Sequence, residues 1–262
     1  SIICAWDIIK KELKKFKTSF IPVDSEHFSI WSLINQNNLS NVNKIYITAS
    51  GGPFLKKKLV NKKISPSQAL RHPNWSMGKK ISIDSATMMN KVFELIEAKK
   101  IFNLDSKKLD IIIHPKSFIH AIILFKGGLI KLLAHETSME IPIFNSIFKD
   151  KLSYDIKKKD IDFSLMNGKN FIKPDDKKFP VLKLLKLLPR QKSYFETILI
   201  TINDFLVNKF LQNKIDYLSI QKNLLLFIKD PYFTRYYRYH PKRINDITKM
   251  SEITINYLKK NL

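Results

Sequence analysis

The sequence predicts an α/β fold, with an α+β central catalytic domain built on a mixed sheet and a small all-α C-terminal helical domain after it. Two observations support this prediction. Before residue 150, short apolar runs alternate with stretches of helical spacing, which is typical of strands covered by helices. Beyond Phe179, apolar residues recur at helical spacing only, beginning with Leu182, Leu185 and Leu188.

The composition is that of a globular chain. Its 262 residues are 44% hydrophobic, which is enough to bury one large core or two smaller ones. The single cysteine, Cys4, forms no internal disulfide, so we expect a reducing compartment and, by default, the cytoplasm. Lysines interrupt the apolar stretches before they reach the roughly 18 residues of a spanning helix, so no membrane partner is expected.

The net charge of +23 suggests a phosphate-rich partner such as nucleic acid. Aromatic residues that alternate with arginine in residues 232–240 support that alternative, because such rings can stack on bases. The excess charge is mostly lysine, however, and it is scattered over segments typical of solvated faces and loops. We therefore interpret it as a compositional bias toward Lys, Ile and Asn and expect no nucleic-acid partner.

The elements follow one another in a regular order. An amphipathic helix over residues 1–17 is followed by a strand at 19–23 and by a helix that begins at Asp24 or Ser25. A second strand at 44–48 leads directly into a small-residue turn, and turns after strands are where α/β folds bind ligands. The remaining predicted elements are a loop at 66–78, a helix at 85–100, strands at 109–113, 119–125 and 128–134, a linker at 150–178 and helices from there to the end.

Two short segments carry candidate functional residues. Asp24 and Glu26 lie at the start of a helix, whose positive end favours anionic groups, although a helix cap with a solvent-facing glutamate explains them more simply. Asn90, Lys91 and Glu94 share one face of the helix at 85–100, and an ordinary amphipathic helix explains that face about as well.

Together the two segments could hold a phosphosugar and a metal ion. Ser85, Asn90 and Lys91 are donors suited to a phosphate, whereas Glu94 lies about one helical turn, or ~5.4 Å, further along. With Asp24 and Glu26 it would supply three carboxylates, a set that favours Mg²⁺ or Mn²⁺ over zinc.

Six strings resemble the 1-deoxy-D-xylulose 5-phosphate reductoisomerase family, and they occur in that family's order. They are PVDSEH (22–27), SGGPF (50–54), RHPNWSMG (71–78), ISIDSATMMNK (81–91), ELIEA (94–98) and IHPKSFIHA (113–121). The resemblance is strong over residues 19–125 and weaker beyond, where residues 134–142 depart from the family pattern and Asn203-Asp204 replaces an Asn-Glu pair.

The resemblance implies roles for the matching residues. It implies a Mg²⁺ or Mn²⁺ site at the catalytic carboxylates Asp24, Glu26 and Glu94, of which Glu26 and Glu94 also lie near the substrate. The implied substrate contacts are Ser25, Ser50, His72, Ser85, Asn90 and Lys91, with Trp75 and Met77 as a closing lid and Gly78 as a backbone contact of NADPH. His114 and His120 have no ligand spacing, and we predict that they are structural.

The resemblance also implies an activity and its partners. The family rearranges 1-deoxy-D-xylulose 5-phosphate and reduces it with NADPH to 2-C-methyl-D-erythritol 4-phosphate, a step of isoprene biosynthesis, and a homodimer is expected. The chain would then divide into residues 1–23, a remnant of the nucleotide-binding domain, 24–150, the catalytic domain, 151–178, a linker, and 179–262, the helical domain.

The sequence is expected to be a fragment, because it has no initiator Met and no Gly-x-Gly-x-x-Gly turn for NADPH. The missing domain would precede it or belong to a separate N-terminal NADPH-binding chain. An inactive fragment is the alternative, although all the metal and phosphate residues are present.

Overall fold

The computed structural model of the protein describes residues 2–34, 39–57, 63–148 and 171–262. A mixed sheet of four strands lies at its centre, in the spatial order β2-β1-β3-β4. The strands are β1 (Val42–Ala49), β2 (Leu109–Ile113), β3 (Ile119–Phe125) and β4 (Ile130–Ala134). β1 pairs in parallel with β2 and antiparallel with β3, and β3 pairs antiparallel with β4. The mixed sheet and its four strands after residue 40 are confirmed.

Two helices precede the sheet in the chain. The amphipathic helix predicted at the start is confirmed as α1 (Ile2–Lys15), and α2 (Ser25–Ile34) begins where its cap residues indicated. The strand predicted at 19–23 is wrong, because these residues form no strand. Pro22 has no backbone N–H to donate, and β2 and β3 already occupy both sides of β1. Phe20 instead packs edge-on against Trp6 of α1, with ring centroids 4.9 Å apart.

The helix predicted at 85–100 is in fact two helices. After a short α3 (Pro66–Ala69), α4 (Lys79–Thr87) ends at Met88, and α5 (Met89–Ile101) begins at the next residue. The break comes from Met88, whose φ of 67° is left-handed and breaks the helical hydrogen-bond pattern. Asn90 and Lys91 therefore lie in the first turn of α5, where backbone N–H groups have no partner within the helix.

The C-terminal part is helical, as predicted. A 3₁₀ helix at Pro180–Leu187 precedes α7 (Phe195–Leu211), α8 (Tyr217–Phe227), α9 (Pro231–Thr234) and α10 (Ile244–Asn261). A helix that the sequence did not predict, α6 (Glu140–Phe148), follows β4. Most of the predicted linker, from residue 149 to residue 170, lies outside the described residues. The division into domains stays a prediction.

The apolar core joins the sheet to both sets of helices. Ile45 and Ile47 of β1 are fully buried, as are Val92 of α5 and Ile198 and Ile202 of α7. Met88 and Met89 are also buried in this core, as expected of methionines that fill space. No helix among the described residues is both long and apolar enough to span a membrane.

Candidate metal centre and anion pocket

A cavity of about 310 Å³ opens beside the end of β1, between the start of α2 and the junction of α4 with α5. All the predicted site residues except Gly78 line it, together with residues that the sequence did not indicate. The predicted residues in its wall are Asp24, Ser25, Glu26, Ser50, His72, Trp75, Met77, Ser85, Asn90, Lys91 and Glu94, and the additional ones are Thr48, Ser76, Ile81, Ser117, His120 and Met139.

Three carboxylates from two helices converge in this cavity. One oxygen from each of Asp24, Glu26 and Glu94 lies within 4.8 Å of the other two. Asp24 also caps α2, because its Oδ1 accepts hydrogen bonds from the backbone N–H groups of Glu26 at 3.1 Å and His27 at 3.2 Å. Asp24 therefore caps α2 and lines the cavity at the same time. Its role as a helix cap does not exclude a role as a metal ligand.

Lys91 lies between two of the carboxylates. Its Nζ donates to Glu26 and, at 2.7 Å, to Oε2 of Glu94, while Ser25 donates to Glu26 and Asn90 to Glu94. Burial would raise the pKa of Glu26, but the Lys91 ammonium lowers it to about 2. Burial and the neighbouring Glu26 carboxylate instead hold the pKa of Glu94 well above its ordinary value. One ammonium thus does not neutralise the three carboxylates.

The donor set suits a hard divalent cation. Oxygens on opposite sides of Mg²⁺ or Ca²⁺ are about 4–5 Å apart, so ligand atoms within 4.8 Å of one another can reach one ion. Carboxylates without a His or Cys ligand favour Mg²⁺ or Mn²⁺ over zinc, and this cluster contains carboxylates only. A bound dication would also offset the repulsion from Glu26 that, together with burial, raises the pKa of Glu94.

His27 links α2 to α5, the two helices beside the carboxylate cluster, a contact that the sequence did not indicate. Its Nε2 lies 2.8 Å from the backbone oxygen of Glu94, and its Nδ1 lies 3.2 Å from Oδ1 of Asp24 and 3.8 Å from Oε2 of Glu97. The ring is buried and links α2 to α5. In the sequence, His27 was notable only for its position in the string 22–27. A sequence pattern does not show which distant helix its ring contacts.

Donors for an anion surround the junction of α4 and α5. Ser85 lies in the last turn of α4, and Asn90 and Lys91 lie in the first turn of α5, whose N-terminus carries partial positive charge. Ser50, directly after β1, completes the group. These four residues and the carboxylates share one cavity, so a ligand with an anionic group and chelating oxygens could contact both sets.

The hydrogen bonds around His72 determine where Ser50 can donate its hydroxyl proton. Nδ1 of His72 accepts from the backbone N–H groups of Asn74 at 3.2 Å and Trp75 at 2.9 Å, so the ring proton belongs to Nε2. That nitrogen lies 3.0 Å from Oγ of Ser50, which also accepts from the N–H of Gly52 at 3.1 Å. Burial and the Lys91 charge lower the pKa of His72 to about 4, so the ring stays neutral. The hydroxyl proton of Ser50 is then left to donate into the cavity.

The loop that carries Trp75 and Met77 is fastened to the opposite wall. The Asn74 amide donates to the backbone oxygen of Pro115 at 2.7 Å and to Oγ of Ser117 at 2.8 Å. Trp75 and Met77 lie in the cavity wall, and their role as a closing lid stays a prediction. Gly78 starts α4 but does not line the cavity, so its contact with a nucleotide stays a prediction.

His120 has a position that the sequence did not indicate, and whether it is structural stays a prediction. His120 lines the cavity, where its ring meets Trp75 edge-on at 6.3 Å and stacks on His135 at 3.8 Å. Burial lowers its pKa to about 4. His114 does not line the cavity, and its structural role also stays a prediction. The sequence does not reveal this contact because it joins His120 of β3 to His135, which follows β4.

The aromatic residues of the nucleic-acid alternative contact one another. Tyr232 stacks on Tyr257 at 4.0 Å, and the guanidinium of Arg235 lies over Tyr232 at 4.4 Å and over Tyr236 at 4.8 Å. Phe233 in the same segment is fully buried. The segment therefore packs on the C-terminal helices, and these rings are already stacked within the protein.

Family models match two parts of the chain. One, described as the 1-deoxy-D-xylulose 5-phosphate reductoisomerase C-terminal domain, matches residues 20–102. A second, described as the DXP reductoisomerase C-terminal domain, matches residues 135–256. The first match includes all the residues of the carboxylate cluster and the anion pocket.

Individual relatives carry the same name. The 1-deoxy-D-xylulose 5-phosphate reductoisomerase of Pelagibacter ubique is 54% identical over 96% of this chain, and that of Sulfurihydrogenibium is 38% identical over 86%. The aligned part makes up 65% of the first relative and 59% of the second, so the chain spans less than two thirds of either.

Solved structures of similar proteins share the fold. The Zymomonas mobilis reductoisomerase in complex with NADPH is 30% identical, with a TM-score of 0.84 over 97% of this chain and 64% of its own. A DOX-P reductoisomerase in complex with NADPH, fosmidomycin and magnesium is also 30% identical, with a TM-score of 0.84 over 99% of this chain and 69% of its own.

Proposed function

The chain belongs to the 1-deoxy-D-xylulose 5-phosphate reductoisomerase family, and we propose that it acts in the metal- and NADPH-dependent conversion of 1-deoxy-D-xylulose 5-phosphate to 2-C-methyl-D-erythritol 4-phosphate. The observation that carries this proposal is the presence of three convergent carboxylates and a group of anion donors in one cavity of about 310 Å³. A phosphosugar has both chemical groups that such a cavity recognises.

The carboxylate side holds the cation. Asp24, Glu26 and Glu94 would bind Mg²⁺ or Mn²⁺, and His27 keeps α2 and α5 at the separation that the three carboxylates need. The bound ion supplies Lewis-acid polarisation of a carbonyl oxygen. The carboxylates would hold that ion at a place in the cavity where the chelating oxygens of the sugar could reach it.

Lys91 connects the two sides of the cavity. Without a cation its Nζ pairs with Glu26 and Glu94, so its charge is used within the protein. A dication that neutralises these carboxylates leaves the ammonium free to bind a phosphate beside Asn90 and Ser85. Metal and phosphosugar should therefore bind cooperatively, through this one shared side chain.

The lid side excludes water. Trp75 and Met77 cover the cavity, and the hydrogen bonds of Asn74 to the turn after β2 hold the loop in that place. A dry cavity strengthens the electrostatic contacts of the sugar and protects a reactive carbonyl. The reduction step rests on family membership and on the similar proteins that were solved with NADPH.

A binding experiment tests the proposal directly. Isothermal titration calorimetry of the chain with 1-deoxy-D-xylulose 5-phosphate should show binding in the presence of Mn²⁺ and much weaker binding in EDTA. The matched control ligand is 1-deoxy-D-xylulose, which lacks the phosphate and should bind more weakly even with Mn²⁺. Equal affinity for both sugars, or affinity that does not depend on Mn²⁺, would overturn the assignment.

The expected homodimer has a candidate surface. Among the described residues no strand pairs with the outer side of β4, which lies at an edge of the sheet, and Ile130 and Leu132 on it are 61% and 42% exposed. An exposed apolar edge of this kind is suited to a second copy of the chain.

Sedimentation equilibrium should show a dimer, and Ile130→Lys should shift it toward monomer. A monomeric parent at high concentration would contradict this part of the proposal.

A further inference from the structure

A buried group of charged and polar side chains fastens α4 to the C-terminal helix α7. The carboxylate of Asp84, on α4, is almost fully buried and lies 2.7 Å from Nζ of Lys80, one turn earlier on the same helix. Lys80 also lies 2.9 Å from Oδ1 of Asp204 on α7. The neighbouring Asn203 donates its amide to Oδ1 of Asp84 at 2.8 Å. Both oxygens of a buried carboxylate are thus paired, Oδ2 with Lys80 of the same helix and Oδ1 with Asn203 of α7.

The other end of α4 is held by a second C-terminal helix. The hydroxyl of Tyr217, at the start of α8, donates to the backbone oxygen of Ala86 at 2.7 Å, and its ring is buried. On the opposite side Gly52 packs directly on this turn, since a Cβ there would lie 2.9 Å from the backbone oxygen of Ser85. The turn that carries Ser85 is therefore held between the loop after β1 and the C-terminal helices.

Helix α4 depends on such contacts for its position. It has only nine residues, from Lys79 to Thr87, and helices shorter than about 12 residues are marginal without tertiary support. The lid loop precedes it and the left-handed Met88 follows it, so neither flank extends the helix. Its orientation decides where the Ser85 hydroxyl points in the cavity.

We propose that Asp84, Lys80 and Tyr217 are positioning residues of the anion pocket, through which the C-terminal helices hold Ser85 in place for a phosphate. The inference rests on the proposed function for the nature of the ligand, but the attachment of α4 can be tested without any ligand. None of the three residues lines the cavity, so they act only through the placement of α4.

Two substitutions with matched controls separate positioning from general stability. Asp84→Asn removes the buried charge that pairs with Lys80, and Tyr217→Phe removes the hydroxyl that holds Ala86. Glu196→Gln is the control for the first, because Glu196 pairs with Lys100 at 3.2 Å between α7 and α5, away from α4. Tyr237→Phe is the control for the second, since its hydroxyl donates to the backbone oxygen of Ile228 at 2.6 Å.

The binding arm compares two ligands by calorimetry. Asp84→Asn and Tyr217→Phe should weaken binding of inorganic phosphate and of 1-deoxy-D-xylulose 5-phosphate by about 3–10-fold, because a misplaced donor loses most of its contact. Their Mn²⁺ affinity should stay within about twofold of the parent, and both controls should bind phosphate like the parent. An equal loss in the control variants, or equal losses of Mn²⁺ and phosphate affinity, would overturn the proposal.

The second arm is amide hydrogen exchange of the ligand-free chain, followed by mass spectrometry. Faster exchange of a peptide covering residues 79–87 is expected in Asp84→Asn and Tyr217→Phe but not in the controls. Unchanged exchange in both variants would overturn the proposal. If the parent bound no phosphosugar but this pattern appeared, the proposed function would fail while the attachment of α4 would stand.

Discussion

Replacing Glu94 with glutamine removes one charged oxygen ligand from the candidate metal centre with little change in shape. Glu94 is buried, with its carboxylate within 4.8 Å of those of Asp24 and Glu26. A contact to a charged group contributes about 1.5–3 kcal/mol, and tenfold in affinity corresponds to about 1.4 kcal/mol. Glu94→Gln should therefore weaken Mn²⁺ binding by roughly 10–100-fold.

The fold of this variant should survive. Burial and the Glu26 carboxylate raise the pKa of Glu94, so the surroundings of this position disfavour a negative charge. Glutamine has a neutral amide in place of the carboxylate, so the melting temperature of the variant without metal should not fall. Loss of Mn²⁺ affinity with an intact melting transition would show that a ligand was removed and that the fold was not damaged.

The assay is calorimetric titration with Mn²⁺ at neutral pH, with Glu97→Gln as the matched control. Glu97 is a glutamate on the same helix, but it contacts His27 and is outside the cluster of three carboxylates. Its substitution should change the Mn²⁺ affinity by less than about threefold. Unaltered affinity in Glu94→Gln, or an equal loss in both variants, would refute the metal centre as described.

Three further outcomes are expected. Lys91→Ala should weaken binding of 1-deoxy-D-xylulose 5-phosphate by roughly 10–100-fold, because a charge-assisted contact of about 1.5–3 kcal/mol is lost. The Mn²⁺ affinity of the same variant should stay unchanged or increase, because the ammonium that competes with the metal for the carboxylates is gone. A loss of Mn²⁺ affinity would contradict the role assigned to Lys91. Mn²⁺ affinity should rise with pH below the raised pKa of Glu94, because a proton must leave before the metal binds, and it should level off above that pKa. Calorimetry in buffers of different ionisation enthalpy measures the released proton, and Glu94→Gln should not release it. His72 should make folding less favourable as the pH falls from 6.5 toward about 4, because its pKa drops from 6.5 to about 4 on folding and the unfolded chain takes up the proton first. The urea concentration at the midpoint of unfolding, measured from pH 7 to pH 4.5, should decline less in His72→Asn than in the parent. Equal declines would exclude this contribution of His72 to stability.

Sequence reasoning found most of the cavity because the informative residues occur in short, unusual strings. Eleven residues predicted from those strings line the cavity, and periodicity located all four strands of the sheet. Both kinds of signal are local. They report residue types at fixed spacing, which is what a motif or an amphipathic element consists of.

Errors arose where a local pattern was compatible with more than one backbone. Residues 19–23 have the pattern of a strand, yet Pro22 has no N–H to donate to a neighbouring strand, and both sides of β1 are already paired. The helical spacing over 85–100 continues through Met88, so nothing in the pattern revealed that its φ is 67° and that a new helix begins after it. That break places Asn90 and Lys91 at a helix N-terminus, where they are better suited to an anion.

By itself, then, the sequence determined the family, the mixed sheet with its helical C-terminal part, and the residue types of the site. Only the tertiary structure decided that Lys91 bridges Glu26 and Glu94, that His27 joins two helices, that His120 lines the cavity, and that Asp84 is held by α7. Each of these contacts joins side chains that are distant in sequence or depends on a buried charge finding its partner. Such contacts follow from packing and from the cost of leaving a buried charge unpaired, which are properties of the folded whole.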